Sequence, residues 1–223
     1  PDRVGIYLGV GILPFEDTPL DTLAQKSTVD GAFDIAAFST TSIKSMSPLL
    51  TFKCLPNMPL FHISYNLGIT GRYYMTYPGL LEWFSALERA ISDLEHGLVD
   101  YAMVGAIADQ RNFLVQKHLQ RVIGDRAESA VDSAAVFVLK RVEDGSVDGV
   151  HGIISSINST YVPYNPLKQK EHLFPTMDQL SCFTGIVEPA LFLINYLTAG
   201  NQDLVCYKTK LGEIELQLEV ELL

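Results

Sequence analysis

"YYMTYPGLLEWFSALERAISDLEHG" (73–97) reads as a strand that stops at Pro78-Gly79 and turns directly into an amphipathic helix. Tyrosine favours strands, and a Pro-Gly pair ends one. Beyond the turn, Leu80, Phe84, Leu87, Ile91 and Leu94 recur at spacings of four and three, the apolar stripe of a core-facing helix that Gly97 closes. A sharp strand-to-helix turn is where many α/β enzymes present a catalytic nucleophile. Here the turn carries Leu80 and Leu81, which can attack nothing.

Working outward, strand and helix patterns alternate, so the expected class is α/β. "RVGIYLGVG" (3–11), "DYAMVGAIAD" (100–109) and "SAAVFVLKRV" (133–142) read as buried strands, and "GVHGIISSINST" (149–160) as a further one. Residues 21–38 look helical but mixed. X-Pro steps within 47–69 exclude one long helix and leave helical turns over Leu60 to Leu67, closed by Gly68. Residues 111–122 predict another helix. "TGIVEPALFLINYLTAG" (184–200) is apolar nearly all round and therefore central. The final "DLVCYKTKLGEIELQLEVEL" (203–222) alternates like a hairpin with one wet face.

A chain of 223 residues can bury a core without staples, and 48% hydrophobic against 19% charged residues favours burial against a partner. The formal charge of −10 repels nucleic acid and anionic membranes. The most apolar run, Ala190 to Leu197, is too short to span a bilayer, and no charged-then-apolar leader opens the chain. The expected location is cytoplasmic. The first residue is Pro1 rather than Met, which suggests an upstream segment.

Three cysteines, Cys54, Cys182 and Cys206, have neither disulfide nor zinc spacing. No cofactor is expected: "LGVG" lacks the dinucleotide-binding spacing. His118, His151 and His172 form no ligand pattern, so no metal is expected either. His62 reads as a core or interface residue and His96 as a helix C-cap. Asp100 and Asp109 bracket a predicted strand, where turn roles are commoner than acid–base ones.

"LPNMPLFHISYNLGITGRYYMTYPG" (55–79), followed by a helix and "GLVDYAMVGAIAD" (97–109), resembles the N-terminal half of β-ketoacyl-acyl carrier protein synthases. "SAAVFVLKRVEDG" (133–145) resembles the strand that closes that half, and "SCFTGIVEPALFLINYLTAGN" (181–201) the second half's helix with its approach loop. The resemblance implies a thiolase-like layered fold, shortened in its second half. The N-terminal half is expected over residues 1–148 and the C-terminal half over 149–223. It also implies a dimer in which the strand before the nucleophile pairs across the axis.

Carried over by position, the catalytic groups are missing. The nucleophilic cysteine, which a helix N-terminus activates, falls at about Leu80. The second-half histidine falls at Cys182 and the lysine at about Met177, while the other histidine has no room. The resemblance therefore implies a non-catalytic chain-length factor, paired with an active ketosynthase in type II polyketide or aryl polyene synthesis. An acyl carrier protein would dock mainly through that partner. Tyr73, Tyr74, Met75, Tyr77, Pro78, Leu80 and Leu81, with Met58 and His62, are the expected interface or acyl-tunnel residues. Two alternatives stay open: an acyltransferase or hydrolase of this fold using Cys182, and a scaffolding homodimer.

Overall fold

The computed structural model describes residues 1–12, 17–77, 82–142, 152–161, 182, 184–198, 205–210 and 213–221. Its first sheet has the order β4-β1-β5-β6. Strand β1 (Val4–Val10) lies between β4 (Tyr73–Thr76) and β5 (Tyr101–Ala108), parallel to both, and β6 (Ser133–Lys140) runs antiparallel along β5.

Between β1 and β4 the chain forms α1 (Asp17–Lys26), a small hairpin of β2 (Thr28–Val29) and β3 (Ala32–Phe33), and the short helices α2 (Ile35–Ala37) and α3 (Pro48–Lys53). Helix α4 (Met58–Leu67) follows and is closed by Gly68 in the left-handed region. The hairpin departs from the helical reading of 21–38. Asp30 and Gly31 both take positive φ, 50° and 79°, as a tight hairpin turn requires. Asp34 then caps α2 by accepting the Ala37 N–H at 2.6 Å.

Alternation along β1 assigns its two faces. Ile6, Leu8 and Val10 pack with Leu60 of α4, joined by Ile63, Met75 and Ile107. Tyr7 faces the other way, into the larger core built by α5 (Glu82–Glu95). Because β4 and β5 flank β1, the crossover helix between them must lie across β1. Trp83, Leu87 and Ala90 accordingly bury completely, with Phe84 and Leu94 beside them and Ile91 half-buried. Gly9 permits the close approach: a Cβ there would lie 3.2 Å from Ile186 and 3.3 Å from Trp83.

After β5 come α6 (Phe113–Ile123), β6 and β7 (Ile153–Tyr161). A single 3-10 turn, Gly185–Val187, then leads into α7 (Glu188–Thr198). Val187, Ala190 and Leu193 bury in the α5 core, which makes α7 the central helix its composition predicted. The second sheet has the order β7-β9-β8, with β8 (Val205–Lys210) and β9 (Glu213–Glu221) forming the expected antiparallel hairpin. Ile154 and Ile157 of β7 join the same core, so α5 and α7 form the layer shared with the first sheet. The wet face expected of this hairpin concerns side chains outside the description.

Strand β6 corrects one expectation. Its sequence reads as doubly covered, yet Val136 and Val138 are 43% and 60% exposed. Only the face bearing Ala135, Phe137 and Leu139 meets the core. An antiparallel strand at a sheet edge needs only one covered face.

Candidate functional site

Among the described residues, strand β4 has one neighbour in the sheet and ends it. The Ile6 N–H donates to the Arg72 carbonyl at 2.9 Å, and Ile6 stands opposite Tyr73. Parallel ladders alternate, so the backbone groups of Arg72 and Tyr74 serve β1 while those of Tyr73 and Met75 point off the edge. Such an edge is a template for another strand. The side chains along it are aromatic and open: Tyr73 is 74% exposed, Tyr74 37% and Tyr77 38%.

Beside the edge, Tyr73, Tyr74 and Met75 share a groove of about 520 Å³ with Asn57, Leu60, Phe61 and Ser64. None of these lining residues carries a charge. On α4 the Phe61 and Tyr65 rings stack with centroids 6.1 Å apart, and the His62 ring meets Phe61 edge-on at 5.5 Å. His62 is exposed and Met58 half-buried, so His62 is a surface residue and the core alternative for it is corrected. Pro78, Leu80 and Leu81, expected to share this region, lie outside the described residues, as does Met177.

A buried carboxylate holds the edge in place. Asp93 of α5 accepts the Tyr7 hydroxyl at 2.7 Å, the Arg72 Nε–H at 2.9 Å and an ion pair from Arg89 at 3.2 Å. Burial first, and then the bond to Asp93, push the Tyr7 hydroxyl well above the usual phenol range. One side chain thus ties β1, the start of β4 and α5 together.

At the C-terminal ends of β1 and β4, three buried polar atoms have no hydrogen-bond partner among the described residues: Thr76 Oγ1, Trp83 Nε1 and Thr184 Oγ1. Thr76 stands opposite Gly9, against which Trp83 and Ile186 pack, so Thr76 and Trp83 converge where an α/β fold normally holds its site. Cys182, two positions before Thr184, is half-buried and, like Cys54, is not in a disulfide. His96 accounts for itself: its Nδ1 lies 2.7 Å from the Ser92 carbonyl, beside Gly97 with φ 64°, as a helix cap. Among the described residues no cluster of three His, Cys, Asp or Glu could hold a metal, and no helix is long and apolar enough to cross a membrane.

The two bracketing aspartates have separate partners. Asp100 pairs with Arg3, whose hydrogen bond holds its carboxyl below the usual range. Asp109 meets Asp132. Backbone N–H donors of Arg111 and Gln110, at 2.9 and 2.8 Å, hold Asp132 low, while burial and the Asp132 charge raise Asp109. A raised folded-state value means that the Asp109 contribution is present below the unfolded value of 3.8 and is lost as pH rises through the folded one. Asp109→Asn should therefore stabilise the chain at pH 7 relative to wild type and flatten its mild-acid pH dependence. Urea midpoints measured below pH 3.8 and at pH 7 check this; an unchanged difference between them refutes it.

No protein-family model and no curated protein sequence matches the chain. Solved structures do. The ishigamide ketosynthase/chain length factor superposes with a TM-score of 0.70 at 12% identity, covering 100% of this chain and 74% of that one. A type II PKS acyl-carrier protein in complex with its ketosynthase bound to the hexaketide gives 0.67 at 13%, covering 100% and 77%. A ketosynthase in complex with its chain length factor from Xenorhabdus doucetiae gives 0.55 at 12%, covering 97% and 69%. The chain therefore has the thiolase-like ketosynthase fold, as its sequence resemblance implied.

Four features of the region escaped the sequence reading. Asn57, Leu60, Phe61 and Ser64 line the groove, and the i, i+3, i+4, i+7 spacing of the four positions was the available signal for a shared face of α4.

Proposed function

We propose that the chain is a non-catalytic subunit of the chain-length-factor type, which pairs with an active ketosynthase and shapes its acyl tunnel in type II polyketide or aryl polyene synthesis. The observation that carries this reading is the free β4 edge, lined by exposed tyrosines beside an uncharged groove, on a ketosynthase fold whose sequence has leucine at about the nucleophile position. Soluble monomers rarely leave such patches bare. Pairing β4 with the matching strand of a ketosynthase completes the ladder and covers the rings.

In this reading residues 1–148 and 149–223 are the two ketosynthase-like halves, the second shortened. Tyr73, Tyr74, Met75 and Tyr77, with Met58, His62, Pro78, Leu80 and Leu81, lie at the interface or along the tunnel. The carrier protein docks mainly on the partner, because a subunit of charge −10 repels an acidic carrier.

The test is co-expression with the ketosynthase of the same pathway, capture through this chain, and intact-mass measurement with an elongation assay. A one-to-one heterodimer that elongates acyl thioesters only when this chain is present supports the reading. A homodimer, or a ketosynthase equally active alone, removes it. Tyr74→Ala and Tyr77→Ala should shift the product distribution toward longer chains without dissociating the complex, since removing a ring opens volume in a packed wall. Product analysis by mass spectrometry checks each variant, and an unchanged distribution excludes that residue from the tunnel.

A further inference from the structure

At the N-terminal ends of β1 and β5, the pole opposite Thr76 and Trp83, lies a cleft of about 330 Å³. Among the described residues, Arg3, Lys140 and Arg141 line it, with the carboxylate of Asp100. Tyr101, which stands opposite Lys140 in the β5–β6 ladder, forms one wall and is 49% exposed, with Leu94 and Val99 as apolar floor. A second carboxylate, Asp2, faces Arg3 from outside the lining. Among its described lining residues three cations stand against one carboxylate, on a chain of net −10.

Arg3 is held rigidly. Its Nε and Nη2 donate to the Asp100 carboxylate at 3.1 and 2.5 Å, and its Nη1 donates to the Gly97 carbonyl at 3.0 Å. A guanidinium has five N–H donors, so two remain on a head group whose orientation is already fixed. Lys140 has no side-chain partner among the described residues. Arg141 lies close enough for its charge to lower the Asp100 carboxyl further.

We propose that this cleft binds a phosphate-bearing small molecule, with Arg3, Lys140 and Arg141 on the phosphate and Tyr101 against its organic part. Fixed guanidinium forks match phosphate oxygens, and a compact ammonium adds a point charge. The volume falls in the range of small-ligand pockets and is too small for a folded acidic partner. The cleft shares no residue with the β4 edge or its groove, so the proposal stands independently of the subunit role.

The experiment is calorimetric titration of the whole chain with inorganic pyrophosphate, AMP and adenosine, alongside thermal melts. Pyrophosphate and AMP should bind with Kd below about 1 mM and raise the melting temperature, while adenosine does neither. A Lys140→Ala/Arg141→Ala variant should bind at least about tenfold more weakly, a loss of about 1.4 kcal/mol. A Lys117→Ala/Arg121→Ala variant, which removes the same charge from α6, should bind as wild type does. Absence of heat and of any melting shift with both phosphates at about 10 mM, or an equal loss in the α6 variant, overturns the proposal.

Discussion

On the proposed pairing of β4 with a ketosynthase, Tyr73→Pro should leave the chain folded and weaken the heterodimer: its Kd should rise about thirty- to a thousandfold, or about 2–4 kcal/mol. The asymmetry comes from the alternation of β4. The Arg72 carbonyl serves β1, so the N–H at position 73 points away from the sheet. Proline at the first residue of an edge strand is tolerated because no internal bond is lost. Its stability should therefore stay within about 0.5 kcal/mol of wild type. A pairing strand, by contrast, meets a missing donor and a lost aromatic anchor together. Affinity by native mass spectrometry, with a thermal melt as control, reads both; an unchanged Kd would mean that β4 is not the pairing edge.

The second large effect is on the chain itself. Asp93→Ala should destabilise it by about 3 kcal/mol. The arginine partners contribute little to this figure, since Arg72 and Arg89 are both 45% exposed and regain water. The cost arises at Tyr7, whose completely buried hydroxyl loses its acceptor and finds no other. Tyr7→Phe removes both the hydroxyl and the need, so adding Asp93→Ala to it should cost much less than in wild type. Guanidinium midpoints for the two single variants and the double variant close this cycle. Additive losses would place the energy in the arginines instead.

The sheet was legible wherever local pattern and burial coincide. Residues 4–10 and 101–108 are continuous apolar runs because they are covered on both faces, and α5 declares itself through its stripe. The buried face is wider than that stripe, because a helix packed across a strand also buries Trp83, Ala86 and Ala90. In residues 28–45 the signal was the Asp30-Gly31 pair, which a reading tuned to helical period passes over. The misjudged burial of β6 has a different cause: apolarity there records composition, whereas Val136 and Val138 face outward.

The candidate site divides in the same way. The resemblance pointed to Tyr73–Tyr77 and implied a strand that pairs across an axis, but only the structure reveals how far these rings are exposed along the edge. Asp93 with Tyr7 spans 86 positions and Arg3 with Asp100 spans 97. No local period encodes such pairs. In the sequence each of these residues is one more charge or one more tyrosine.

Trp83 is the chain's single tryptophan, fully buried, with ring contacts to Phe84 and Phe137 and no acceptor for its Nε1–H among the described residues. Every photon of indole emission from the isolated chain therefore originates at one point, the first turn of α5, where β1, β6 and the approach to α7 meet. The fluorescence of this protein is a built-in reporter on the place where α5 meets the first sheet, blue-shifted while that contact is dry and red-shifted when water reaches it.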